Sequence, residues 1–423
     1  MADKSAKGQD MAKQIFEGIK VIDFTWAATG PQVSRELAEH GATVIRVESH
    51  KRLCPLRTYP PFRDGIPGVD RSAFFTKNNT NKYSISLDLT HPKSREVTRR
   101  LIQWTDIIGE SMTPGSMARL GLDYESCSKI NPKIVYFSTC QQGQYGPHRD
   151  FGGYGYHVNA VAGLSACTGW ADGEPTMVFP AYSDFIAPWY VLIALAGALL
   201  RRRETGERMY IEQSQFEAGL TFVAPHILDF VVNGHKLTRN GNRDRYMCPH
   251  GIYPCIGQDR WVAITVADDY QWHQLCEMMG NPPWTFEQRF DGILNRKQNE
   301  EDLDQKIGEW TRDFTAEQVM TMLQEAGVPA GVVETAEDLF NDPQLKFRQQ
   351  FRKLDHPVIG PHTCQAPAYT LSETPCEIAR PAPCLGEHNE YIYRDILGFS
   401  DDEIADFIVE GVITTEADAP TKV

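Results

Sequence analysis

In the stretch MVFPAYSDFIAPWYVLIALAGALLRRR (Met177 to Arg203), one carboxylate, Asp184, stands at the head of an aromatic, apolar segment, and the next acid downstream is Glu204. An acid placed there has two readings. Asp is a preferred helix N-cap and Pro188 is compatible with a first turn, so the local pattern alone favours a cap. The same geometry suits a nucleophile. N–H groups at a helix N-terminus keep a carboxylate ionised and can receive a developing oxyanion. Apolar neighbours strip water from a carboxylate and make it a stronger nucleophile. Local pattern does not separate the two.

Other reactive side chains carry weaker signals. Cys248, His250 and Cys255 fall in CPHGIYPC, but the spacing matches no common zinc site and no fourth ligand is evident, so no metal is expected. His157, in GYGYHVNA, has the chemistry of a general base, although a lone histidine is more often structural. Arg119, in PGSMARLG, has the chemistry of a phosphate ligand, although exposed arginines are common. No G-x-S-x-G elbow is present, which disfavours a serine hydrolase.

The elements that must hold these residues read as α/β. IKVIDF is a β-type run, TWAATGP a turn, PQVSRELAEHG a helix and ATVIRVE a second strand, together a β-α-β unit and hence a parallel sheet. YSISLDL, DIIGES and KIVYFST continue the strands, with HPKSREVTRRLIQW a helix between them, so residues 15–140 have Rossmann-like layering. No G-x-G-x-x-G follows the first strand and no G-x-x-x-x-G-K-[ST] occurs, which disfavours a dinucleotide cofactor and a P-loop. Residues 150–232 look mostly helical. The polar segment NGHKLTRNGNRDRY marks a break, beyond which GIYPC and WVAITV are strands of a smaller α+β unit and VPAGVVE a strand returning to the first domain. The expected division is a large domain over 1–225, a small one over 226–330, and a return with C-terminal helices over 331–423. Ser400 with Glu403 forms a capping-box signature.

Composition bounds the function. With 41% hydrophobic and 23% charged residues the chain is ordinary globular protein. A formal net charge of -14 with no basic stripe disfavours a nucleic-acid partner. Ten cysteines without a C-x-x-C pair fit a reduced, cytoplasmic protein, as does the polar opening MADKSAKGQDMAKQ. The longest apolar run, Ala187 to Leu200, is short for a bilayer and reads as a buried helix, so no membrane partner is expected.

Ordered blocks along nearly the whole chain resemble class III (CaiB/BaiF-type) CoA-transferases. They are GIKVIDFTWAATGPQVSRELAEHGATVIRVE, NKYSISLDLTHP, PGSMARLGLDYE, NPKIVYFSTCQQGQYGP, SDFIAPWYVLIALAGALLRRRETGERMYIEQSQFEA, AGVPAGVVETAEDLFNDPQL and LGEHNEYIYRDILG. The resemblance implies that Asp184 is the catalytic nucleophile, forming an aspartyl-acyl anhydride and then an aspartyl-CoA thioester. It implies no permanently bound cofactor, only a CoA thioester as substrate. An ordinary aspartate, with a pKa of about 3.9, would already be anionic at neutral pH. CoA contacts carried over are Ala27, Ala28, Thr29, Leu87, Ser111, Met112, Arg119 and Leu120. The implied assembly is an interlocked dimer, with an identical or a paralogous chain.

Three departures from the family pattern bear on the acid substrate. The run of glycines that closes some members' active sites is absent, and CPHGIYP is what stands in that region. A lysine of the family is Cys140 here, and S-G-F-G-Q reads C-Q-Q-G-Q (Cys140–Gln144). Cys140, Gln142, Tyr156 and His157 are the substrate-pocket candidates. The aromatic and Cys/Gln substitutions around CQQGQYG and FPAYSDF point to a bulky, aromatic dicarboxylic acid, and the chain as a whole resembles the active subunit of benzylsuccinate CoA-transferases from anaerobic toluene breakdown. That implies a succinyl-CoA donor and an aromatic dicarboxylic acid acceptor. Two rivals share the fold. A partner subunit of a hetero-oligomeric transferase would lack the Asp. An α-methylacyl-CoA racemase needs a second acid/base, and its histidine aligns on Tyr156, with His157 one place off.

Overall fold

The computed structural model describes residues 14–418, so the polar opening segment lies almost wholly outside the described residues. The chain divides into two compact units. Of the described residues, the larger takes those up to Leu164, Met177–Leu228 and those from Lys346 onward; the smaller takes Ser165–Thr176 and Asp229–Leu345.

The larger unit is built on six parallel strands: β1 (Lys20–Phe24), β2 (Thr43–Glu48), β3 (Tyr83–Ser86), β4 (Ile107–Glu110), β5 (Val135–Cys140) and β6 (Met209–Ser214). Their order is β3-β2-β1-β4-β5-β6. The first five were legible as short β-type runs rich in Val, Ile, Tyr and Phe, and most of their residues are buried. Alternate side chains serve opposite faces. Val21, Val44, Ile107 and Val135 pack with Val33 and Leu37 of the helix Thr29–Glu39 and with Val191 and Leu195 of the helix Ser183–Thr205. Ile22, Ile45, Ile108 and Tyr136 pack with Val97 and Leu101 of the helix Ser94–Trp104 and with Phe407 near the C-terminus. There the capping box forms: Ser400 N donates to Glu403 Oε2 at 2.7 Å and Glu403 N to Ser400 Oγ at 3.3 Å.

The helix Ser183–Thr205 corrects one expectation. It is long and apolar enough to cross a bilayer by length and composition, and it is not buried all round. One stripe packs on the sheet, while Ile193 is 72% exposed, with Tyr190 and Leu200 also outward. A helix laid on one face of a sheet buries only the stripe that touches it.

The smaller unit has an antiparallel sheet of β7 (His250–Pro254), β8 (Trp261–Thr265) and β9 (Ala330–Val332). Its core joins Val262 and Ile264 to Leu275, Leu303 and Val319 of the surrounding helices. VPAGVVE does not lead straight back to the larger unit, because Val332 pairs with Val262 and closes this sheet. The chain re-enters the larger unit at Lys346 and there forms a hairpin of β10 (Phe351–His356) and β11 (Gly360–Gln365).

Candidate active site

The strand order puts β1 beside β4, and the chain leaves them toward opposite edges of the sheet. In open parallel sheets ligands bind at such a switch point, beyond the carboxyl ends of the strands. Here the two strand ends are tied together: Trp26 N donates to Ser111 Oγ at 2.7 Å, and Ser111 Oγ donates to Trp26 O at 3.0 Å. The turn after β1 is tight. Ala27 has φ 57°, a region few non-glycine residues occupy. The turn's one glycine is needed because a Cβ on Gly30 would lie 2.4 Å from Thr25 Cβ.

Two cavities flank this seam and share Trp26, Ser111, Met112 and Thr113. The first, about 310 Å³, is lined by Leu87, Leu120, Ser116, Lys51 and Arg52, among others. Arg52 lies over the Trp26 ring at 4.6 Å, and Lys51 pairs with Asp88 at 2.9 Å. This basic pair, from HKR just past β2, is the phosphate-type chemistry that sequence reading missed. Arg119 is exposed outside the lining and donates to Ser116 Oγ at 2.8 Å.

The second cavity, also about 310 Å³, is lined by Ala27, Ala28, Thr29, Cys140, Gln142 and Asp184, among others. It thus brings together the carboxylate, the turn after β1 and two of the substrate-pocket candidates. Asp184 lies in the first turn of its helix, but the N-cap position is Tyr182 and no side chain caps the helix. The carboxyl group faces Thr29 instead, whose Oγ1 donates to Oδ1 at 3.5 Å, while Gln32 Nε2 donates to the Asp184 backbone carbonyl at 3.1 Å. Gly155 makes room: a Cβ there would stand 2.5 Å from Asp184 Oδ1. Burial pushes the carboxyl up to about 7, with the Thr29 bond pulling it back in part. This corrects the expectation of a fully anionic aspartate at neutral pH. Cys140, on the same wall, is pushed up to about 12 by burial and by Glu110, which favours the neutral thiol.

Tyr156 and His157 do not line this cavity; their neighbours Gly153, Tyr154 and Gly155 do. His157 is exposed, and its Nδ1 accepts from Tyr154 N at 3.0 Å, closing a short helix start. The CPHGIYP segment runs into β7, and among the described residues no three His, Cys, Asp or Glu side chains gather as a metal site requires. Two lining residues had no sequence signal of their own: Arg149, and Gln215, which follows β6.

The model of CoA-transferase family III matches residues 16–389. The chain is 30% identical over 389 residues to the succinyl-CoA–D-citramalate CoA-transferase of Chloroflexus aurantiacus, covering 92% of this chain and 96% of that one. It is 30% identical to the succinate–glutarate CoA-transferase of Agrobacterium fabrum, covering 91% and 96%. A crystal structure of a CAIB/BAIF family protein from Brucella suis superposes with a TM-score of 0.82 at 28% identity, covering 91% of this chain and all of that one. The chain therefore belongs to CoA-transferase family III, the CaiB/BaiF group, and is a CoA-transferase.

Proposed function

We propose that this enzyme moves CoA from succinyl-CoA or a similar donor to a dicarboxylic acid, with Asp184 as covalent nucleophile. One observation carries the reading: a half-buried carboxylate, with no cation paired to it among the described residues, sits in a cavity that shares its wall with the β1/β4 groove. Such a group is expensive to keep unless its reactivity is used. The groove, with Leu87, Leu120, Lys51 and Arg52, suits a long thioester whose phosphates are outermost.

In the proposed route a carboxylate oxygen of Asp184 attacks the donor thioester carbonyl, the C–S bond breaks, and CoA thiolate leaves an aspartyl-acyl anhydride. The thiolate then attacks Asp184 Cγ, releasing the donor acid and forming the aspartyl-CoA thioester. The acceptor carboxylate attacks next, and the same steps run in reverse. Thioester energy stays in covalent bonds throughout, so the route calls for no resident cofactor. A racemase would need a second acid/base facing Asp184, and the candidate His157 does not line the Asp184 cavity and accepts from the Tyr154 backbone through Nδ1.

A dicarboxylic acceptor is supported by Arg149, the one cationic side chain lining the cavity among the described residues. Its fork suits a second carboxylate. The acids named for the two relatives, citramalate and glutarate, are dicarboxylic. Benzylsuccinate is the bulkier candidate of the same class. Outward apolar side chains such as Phe179 and Ile193 fit cover by a second chain, identical or paralogous. The test is mass spectrometry of the Asp184 peptide after incubation with succinyl-CoA, followed by transfer assays on dicarboxylic and monocarboxylic acids. A CoA-sized adduct on Asp184 and preference for dicarboxylates are expected. Undiminished transfer by Asp184→Ala would sink the reading.

A further inference from the structure

Asp184 has two oxygens, and the surrounding groups do not treat them alike. Oδ1 faces the Thr29 hydroxyl at 3.5 Å, and among the described residues no donor reaches Oδ2. Thr29 Oγ1 in turn accepts from Gln215 Nε2 at 2.7 Å. Both relay residues are buried, Thr29 at 3% exposure and Gln215 at 7%. They arrive from different strand ends, Thr29 after β1 and Gln215 directly after β6, and both line the Asp184 cavity. The Gln215 Oε1 atom is buried without a hydrogen-bond partner among the described residues.

We infer that Gln215 and Thr29 form a relay that sorts the two oxygens of Asp184, holding Oδ1 as the permanent carbonyl oxygen and leaving Oδ2 as the atom that attacks. This rests on the reading of Asp184 as nucleophile and goes one step further. A hydroxyl has a single proton. With one lone pair of Thr29 Oγ1 occupied by the Gln215 N–H, that proton is directed at Oδ1, the charged acceptor. The contact is long here, as such bonds commonly are before substrate binds. Gln215 is a positioning residue, acting through Thr29.

The relay also has work to do after the first attack. When thiolate adds to Cγ, electrons move onto Oδ1 and a tetrahedral oxyanion forms there. Thr29 Oγ1, 3.5 Å from that atom, is placed to donate to it as the charge develops, where a fixed donor lowers the barrier most. Collapse breaks the Cγ–Oδ2 bond, so Oδ2 leaves within the donor acid. The acceptor carboxylate then supplies the replacement oxygen when it attacks Cγ. Each full turnover therefore exchanges one oxygen of Asp184, and the relay makes it the same position every time.

Oxygen counting tests this. The enzyme is cycled with succinyl-CoA and an excess of acceptor acid labelled with ¹⁸O in both carboxylate oxygens, and the Asp184 peptide is weighed. The parent enzyme should hold one ¹⁸O however many turnovers pass. Thr29→Val and Gln215→Met should take up two, with kcat down roughly 100-fold. Gln215→Glu, whose side chain draws the Thr29 proton away from Asp184, should behave like Thr29→Val. Thr29→Ser, which keeps the hydroxyl, should return to one ¹⁸O. Two labels in the parent, or one label in every variant whether or not it is slowed, overturns the relay. Transfer with no label entering Asp184 overturns the nucleophile reading as well, so the two failures are distinct.

Discussion

Asp23 and Asp184 sit in the same unit, both withdrawn from water, and their surroundings push them in opposite directions. Asp23, near the end of β1, is fully buried, yet Lys82 Nζ at 2.9 Å and Arg46 at 3.3 Å meet its Oδ2, with Ser34 Oγ at 2.7 Å. Burial alone would raise it; Lys82 and Arg46 overcome that and hold its carboxyl well below the usual range. The network continues through Arg46 and Glu48 to Arg57, and Arg46 NH1 also donates to Thr25 O at 3.1 Å, steadying the strand end beneath the site. Asp184 has burial without the cations, and its carboxyl rises to about 7. A carboxylate satisfied by two cations is an anchor. One left with a single long hydroxyl contact keeps its lone pairs available for bond formation.

Neutralising each acid should break this contrast most sharply. Asp184→Asn should lower transfer by at least about 10⁴-fold, the scale of losing a covalent nucleophile. The same change should stabilise the fold at pH 8 by on the order of 2 kcal/mol, because a buried charge is removed. Thermal melts beside turnover assays measure both. Asp23→Asn should do the reverse. It leaves Lys82 and Arg46 facing a neutral group, at a cost of about 3–5 kcal/mol in stability. A melt showing Asp184→Asn as the more damaging substitution would erase the distinction.

Gly155→Ala is the next strongest probe, because it moves the carboxylate without removing it. The added Cβ would stand 2.5 Å from Asp184 Oδ1, so the side chain must shift. The backbone at Gly155 is not in the left-handed region, so the substitution is not strained for its own sake. Misplacing a reacting group by about 1 Å costs roughly 100-fold in rate. The expected result is that loss in kcat, with a melting temperature close to the parent's.

How far the sequence disclosed this arrangement follows from range and exposure. The strands at the centre of the sheet were legible because β-branched apolar residues recur along runs such as KVIDF and TVIRVE, although Asp23, Arg46 and Glu48 interrupt them. The sixth was not: MYIEQS is an edge strand, half-exposed and largely polar in its second half. Missing it hid Gln215, which takes its place only from that strand's end. Asp184 was conspicuous as an acid entering an apolar run, but local pattern leaned toward a cap. What decides against the cap is Thr29, 155 residues away in sequence, and no spacing rule reaches that far. The basic pair Lys51 and Arg52 was printed plainly after ATVIRVE, yet it gains meaning only once β2 ends beside the groove.

Acidity should sharpen the comparison with the smallest but most diagnostic effect. Asp184 must be ionised to attack, and its carboxyl titrates near 7 rather than at the ordinary 3.8. Below about pH 7 the reactive fraction, and kcat/KM for the acyl-CoA with it, should fall about tenfold per unit. Stability carries opposite signs at the two acids. The raised value of Asp184 means that its contribution is fully present below about 3.8 and is lost as pH climbs through about 7. The depressed value of Asp23 means that its contribution is present above the ordinary aspartate range and is lost as pH falls through the low value it holds in the fold. Between pH 4 and 7 the stability difference between the parent and Asp184→Asn should therefore widen steadily in favour of the variant, while that between the parent and Asp23→Asn stays flat. Parallel melts across that range, set beside the rate profile, measure both slopes. A rate that stays level down to pH 5 would place Asp184 among the ordinary, solvated carboxylates and remove the ground for treating it differently from any surface acid.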